Sequence, residues 1–148
     1  MERMDEVVYR CCDLKRGLVE QDEHDTGARM LLNFGHTLGH AIEKQKGFSL
    51  PHGICVALGA LAAMRISKQR GLLSEADVEA FRSAMEAYSL PQTVSGLHVD
   101  EVLAATKNDK KMEAGVIKFI LLNGVGHAYI DRTVTMEEMK AALLTVLA

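Results

Sequence analysis

The chain has 148 residues, of which 48% are hydrophobic and 25% charged, and its formal net charge is −3. That is enough apolar material for one domain with its own core, and no field of one sign draws the whole chain to nucleic acid or an anionic membrane. It has no tryptophan, no signal-like opening segment and no uncharged apolar run longer than Ile54–Met64, which excludes a bilayer-spanning helix, weakens a base-stacking role and points to the cytoplasm.

Glu2–Glu20 reads as a helix, with Met4, Val7, Cys11, Leu14 and Leu18 recurring at helical spacing and Val8, Cys12 and Val19 widening the apolar arc. Lys15 lies inside that arc, where its ammonium must either snorkel to water or meet an anion. The three cysteines, Cys11, Cys12 and Cys55, form no CxxC pair and read as free, buried thiols of a reducing compartment. A polar break, Gln21–Thr26, leads into Gly27–Lys44, which reads as one two-faced helix. On a wheel turning about 100° per residue, Arg29, Asn33, His36 and His40 fall within about 60° of one another. Leu31, Phe34, Leu38, Ala41 and Ile42 fall on the other side. A helix that buries one side and lines the other with Arg, Asn, His and His is suited to holding something charged.

Gly47–Pro51 reads as a loop, and His52 follows in the string LPHG. Gly53–Arg70 is apolar nearly all round and rich in small residues, a pattern for a helix closely approached by its neighbours. Ser74 and Asp77 form a capping box for a helix carrying Val78, Phe81, Met85 and Tyr88 on one face, and Leu90-Pro91 ends it. Asp100–Thr106 reads as a short helix, and Asn108-Asp109-Lys110-Lys111 as a solvated loop. The period then changes: Val116–Leu122 is β-rich, Asn123-Gly124 turns the chain, and a second extended run passes through Ala128, Tyr129 and Ile130 as a hairpin. Lys118, in the middle of the first run, poses the same choice as Lys15. Thr135 and Glu138 cap a last helix with Met139, Leu143 and Leu147. The fold class expected is therefore mainly α, a multi-helical domain with one small β-hairpin.

His36, His40 and His52 together suggest a metal site. Zinc takes neutral imidazole or carboxylate ligands, and catalytic sites use three protein ligands with one position left for substrate. Any one of these histidines alone reads as a cap or a satisfied core group. The spacing leaves open whether all three would bind an ion or one would act as an acid–base group or phosphate contact.

The string LLNFGHTLGHAIE, preceded by LVEQDEHDTGAR and followed by HGICVALG, resembles the C-terminal half of the 3-dehydroquinate synthase family, and the likeness runs from CCDLK to NDKK and IKFILL. The resemblance implies a single metal- and substrate-binding domain over residues 1–148, belonging to a phosphate-eliminating cyclase. Such an enzyme converts the phosphorylated keto-acid DAHP into 3-dehydroquinate on the shikimate route to aromatic amino acids. It recycles NAD and uses a divalent metal, usually zinc. By resemblance, His36 and His52 are metal ligands, His40 lies near the substrate phosphate, and Lys15, Arg29, Asn33, His40 and Lys118 bind substrate, with His40 and Lys15 as catalytic groups. The partners implied are the small-molecule substrate and the N-terminal NAD-binding domain of the same enzyme, with a homodimer as a candidate assembly.

Two departures from the family pattern stand out. The family's NAD-binding half and its third ligand, a glutamate in an AEVIK-like string, fall upstream of this sequence, so the isolated chain is expected to be inactive. Ile54 stands where the family usually has glutamate after HG. The alternatives are another sugar-phosphate cyclase, the C-terminal half of an iron-dependent alcohol dehydrogenase, and a helical packing module whose polar stripe faces solvent.

Overall fold

A computed structural model of the chain describes residues 3–106, 112–113 and 116–148. The Asn108–Lys111 loop reading lies outside them. Among the described residues the elements are six α-helices and four short strands: α1 (Met4–Gln21), α2 (His36–Gln45), α3 (His52–Gln69), α4 (Glu75–Ala87), α5 (Val99–Thr106), β1 (Met112–Glu113), β2 (Val116–Ile117), β3 (Phe119–Leu122), β4 (Ala128–Asp131) and α6 (Met136–Leu143). The mainly α class holds. Two compact units divide the chain, residues 1–32 and 33–148.

In the first unit, α1 forms as its periodicity requires, yet none of its residues is buried. Met4, Val7, Val8, Tyr9 and Leu14 are exposed, so the apolar arc is present but uncovered. Cys11 and Cys12 are exposed with it, against the expectation of buried thiols, and only Cys55 is buried. After α1 the Asp22 carboxylate gathers the loop, accepting from the backbone N–H groups of Gly27 at 2.7 Å, Arg29 at 3.1 Å and Thr26 at 3.2 Å. These bonds, led by that from Gly27, hold the Asp22 carboxyl below the usual carboxylate range.

The two-faced helix expected over Gly27–Lys44 is not continuous. A 3-10 turn, Ala28–Asn33, is followed by a break at Gly35, whose φ is +77°, and α2 starts afresh at His36. The cause is tertiary. A Cβ at Gly35 would lie 2.6 Å from both the Val56 carbonyl oxygen and the Ala60 nitrogen of α3. The chain can turn into a left-handed conformation against a neighbouring backbone only where no side chain stands in the way. Arg29 and Asn33 therefore do not share a helical face with His36 and His40.

In the second unit α3 is central, with α2, α4, α6 and β3 packed on it and α5 against α2 and α6. Its small residues do what the sequence implies: a Cβ on Gly59 would stand 2.0 Å from the Gly35 oxygen and 2.6 Å from the Gly39 nitrogen. Leu38, Ala41 and Ile42 of α2 are buried against it with Leu58, Ala62 and Ile66. Both predicted capping boxes form, with Ser74 and Asp77 opening α4 and Thr135 and Glu138 opening α6.

The run Val116–Leu122 divides at Lys118 into two antiparallel pairs. The first, β1 with β2, adds a ladder the sequence reading did not foresee; the second, β3 with β4, is the expected hairpin, with Ile120 opposite Ile130. Phe119, Ile120 and Leu121 are all buried, so β3 is covered on both faces. The Ser67 hydroxyl of α3 accepts from the Leu122 N–H at 3.1 Å and fixes the hairpin to the helix. At the C-terminal end of α3, Arg70 donates to Glu138 at 2.6 and 2.8 Å and to Asp131 at 3.0 Å. Its guanidinium brings the Glu138 carboxyl down from 4.5 to about 2. Among the described residues no helix is long and apolar enough to cross a membrane.

Candidate metal centre

Three imidazoles meet where α2 and α3 begin. His36 opens α2 immediately after the Gly35 break, and His40 stands one turn further along. Pro51 sits at the start of α3, so His52 belongs to its first turn and not to the preceding loop. The connection between the helices is tight: Gly47 and Phe48 both have positive φ, and the Phe48 N–H reaches back to the Glu43 carbonyl at 3.0 Å. Close approach of α2 and α3 at Gly35, Gly39 and Gly59 then sets the histidines side by side. Ring centroids are 5.2 Å apart for His36 and His40, and 5.5 Å for His52 with either.

One ring nitrogen of each histidine lies within 4.8 Å of the others. A tetrahedral zinc ion with Zn–N bonds of about 2.0–2.1 Å holds its nitrogens roughly 3.4 Å apart, so modest rotation of the rings would bring them into register. Two of the three have their tautomer set. The Nδ1 of His36 is 3.1 Å from the Phe34 carbonyl oxygen, and the Nδ1 of His52 is 3.2 Å from each carboxylate oxygen of Glu43. Carbonyl and carboxylate oxygens only accept, so each Nδ1 carries a proton, and in the neutral ring that leaves Nε2 with the lone pair a metal requires. This donor set suits a borderline-soft divalent ion.

His40 has a second environment. With Thr37, Lys44, Phe48 and Thr106 it lines an open cavity of about 280 Å³ between α2 and the end of α5. Phe48 is exposed at the rim. Beneath the site the Cys55 thiol is buried, and burial followed by the nearby Glu43 charge pushes its pKa up, away from the reactive thiolate.

The other predicted residues take varied positions. Lys15 is exposed on α1. Arg29 is half-buried, and its Nη1 donates to the Glu23 carbonyl at 2.7 Å within the first unit. Asn33 is half-buried at the end of the 3-10 turn, and Lys118 is half-buried between β2 and β3. Ile54 is partly buried against the core. Sequence reasoning missed Glu43, although it follows His36 by seven residues and His40 by three, and so lies on their face of α2.

The family model described as 3-dehydroquinate synthase C-terminal matches residues 1–112. The chain belongs to the 3-dehydroquinate synthase family. The 3-dehydroquinate synthase of Clostridium beijerinckii is 40% identical over 134 residues, 90% of this chain and 38% of that protein. That of Streptococcus mutans is 36% identical over 144 residues, 97% of this chain and 40% of that protein. The chain thus spans about two fifths of the length of these family members. Among solved structures, 2-epi-5-epi-valiolone synthase from Streptomyces hygroscopicus subsp. jinggangensis 5008, with NAD+ and Zn2+ bound, superposes with a TM-score of 0.73 at 28% identity, over 88% of this chain and 37% of that one. A 2-deoxy-scyllo-inosose synthase complexed with carbaglucose-6-phosphate, NAD+ and Co2+ gives a TM-score of 0.84 at 22% identity, over 96% of this chain and 42% of that one, and shows the shared fold.

Proposed function

We propose that this chain is the metal- and substrate-binding part of a 3-dehydroquinate synthase, a cytoplasmic enzyme that converts DAHP to 3-dehydroquinate and phosphate. The carrying observation is the convergence of His36, His40 and His52 at the start of α2 and α3, with two tautomers already set for a metal. His36 and His52 are the metal ligands in this reading. His40, which also lines the neighbouring cavity, is the acid–base group or phosphate contact. The metal and NAD, when bound, supply Lewis acidity and redox chemistry to the substrate's hydroxyl-bearing carbons.

The protein's own part is placement and charge. A substrate with a carboxylate and a phosphate calls for several cations, and Lys15, Arg29 and Lys118 are assigned to them. Arg29 would exchange its hold on the Glu23 carbonyl for a two-pronged grip on an anionic group. Asn33 would orient a substrate hydroxyl, and His40 would keep a proton within reach of the departing phosphate. The N-terminal NAD-binding half of the family is the partner that completes the enzyme, so the 148-residue chain alone should show no turnover.

A second cyclase reading has one observation in its favour, the 28% identity to 2-epi-5-epi-valiolone synthase. The family members called 3-dehydroquinate synthase stand at 36–40% and favour the first reading. Joining the chain to the NAD-binding half of the Clostridium beijerinckii relative and assaying phosphate release separates the two. Turnover of DAHP in preference to sugar phosphates lacking the carboxylate is expected. The reverse preference would move the assignment to the second cyclase, and no phosphate release from either would refute both.

A further inference from the structure

We infer that Glu43 is the positioning residue that holds His52 for a divalent metal, an inference that rests on the metal-site reading above. His52 is about half exposed at the first turn of α3, where an unsupported imidazole samples both tautomers and several ring orientations. The Glu43 side chain is only 17% exposed, and both of its oxygens lie 3.2 Å from the His52 Nδ1. A carboxylate withdrawn from water is costly without a partner, and His52 provides one across the helix pair. The contact fixes the proton on Nδ1, aims Nε2 at the other imidazoles, and places a negative charge one ring away from the cation.

The arrangement also divides labour between the helices. α2 supplies His36, His40 and Glu43, so the α3 ligand is held in register by the helix that carries its companions. His36 is oriented by a backbone carbonyl, which no side-chain substitution removes. Glu43 is the side chain whose replacement isolates orientation from ligation.

The test uses the full 148-residue chain, with zinc affinity measured by competition against a chromophoric chelator. The His52 tautomer is read from long-range proton–nitrogen correlation spectra of the metal-free chain. Glu43→Gln should weaken zinc binding roughly 10-fold or more and remove the dominant Nδ1–H signature, with the melting temperature little changed. Glu43→Asp, which keeps the charge but shortens the reach, should fall between the two; it carries the test if the glutamine variant does not fold. Unchanged affinity together with an unchanged tautomer would overturn the role of Glu43 while leaving the metal site standing. Failure of the unaltered chain to bind zinc even when joined to the NAD-binding half of the Clostridium beijerinckii relative would overturn both.

Discussion

At the C-terminal end of α3, Arg70 has its guanidinium nitrogens matched to oxygens of Glu138, Asp131 and Thr133, which ties α3 to α6 and the hairpin. At the N-terminal end of the same helix, His52 lies beside two further imidazoles, and the Glu43 carboxylate grips its Nδ1. The first arrangement joins opposite charges and is complete within the protein. The second gathers three groups of the same kind, a donor set whose shared chemistry is that of a metal ligand. Convergence of like ligands, more than polarity or partial burial, separates a site from a structural tie.

Four substitutions would break or sharpen this contrast. The largest effect belongs to Gly59→Ala, between the two ends. Its new Cβ would meet backbone atoms at 2.0 and 2.6 Å, and a main chain cannot swing aside as a flexible side chain can. A loss of about 3 kcal/mol or more is expected in urea unfolding, with zinc binding lost as the histidines separate. A loss below about 1 kcal/mol would show that the approach of α2 and α3 does not fix the site.

Next comes the closed network. The folded-state pKa of Glu138, about 2, lies below its ordinary 4.5, so its contribution is fully present above pH 4.5 and is lost as pH falls toward 2. Glu138→Gln should cost on the order of 3 kcal/mol at neutral pH, flatten the acid limb over that window, and leave zinc affinity unchanged. His52→Ala is the converse: zinc affinity falls roughly 100-fold or more, and the metal-free chain stays folded, losing only about 1–2 kcal/mol as the Glu43 carboxylate is left without its partner. If His52→Ala instead unfolded the chain, the imidazoles would be packing groups and the contrast would fail. The smallest effect is expected from Ser67→Ala, which removes the buried acceptor of the Leu122 N–H and should cost about 1–2 kcal/mol without touching the metal.

Features whose causes are local were legible in the sequence. Ser74 with Asp77 and Thr135 with Glu138 are complete capping boxes within four residues, and both helices start where those letters say. The small residues of α3 announced close neighbours, and Gly59 has them. The break at Gly35 was not legible, because Leu31, Phe34 and Leu38 keep helical spacing straight through it and the backbone that forces it belongs to α3. A wheel drawn across that break gave Arg29 and Asn33 a helical face in common with the histidines that the backbone does not provide. Arg70 looked like an ordinary cation at a helix end, since its carboxylates lie 61 and 68 residues away. Cys11 and Cys12 lie on a correctly read apolar arc that α1 leaves exposed. Of the candidate site, the histidine triad was visible as letters, and Glu43 lay on the same face with its partner on another helix.

X-ray absorption of the zinc-loaded chain tests the metal centre most directly. The expected spectrum has a shell of at least two imidazole nitrogens at about 2.0–2.1 Å, reduced by one in His52→Ala. A shell of oxygen ligands alone, or one unaltered by that substitution, would contradict the assignment of these histidines to a metal.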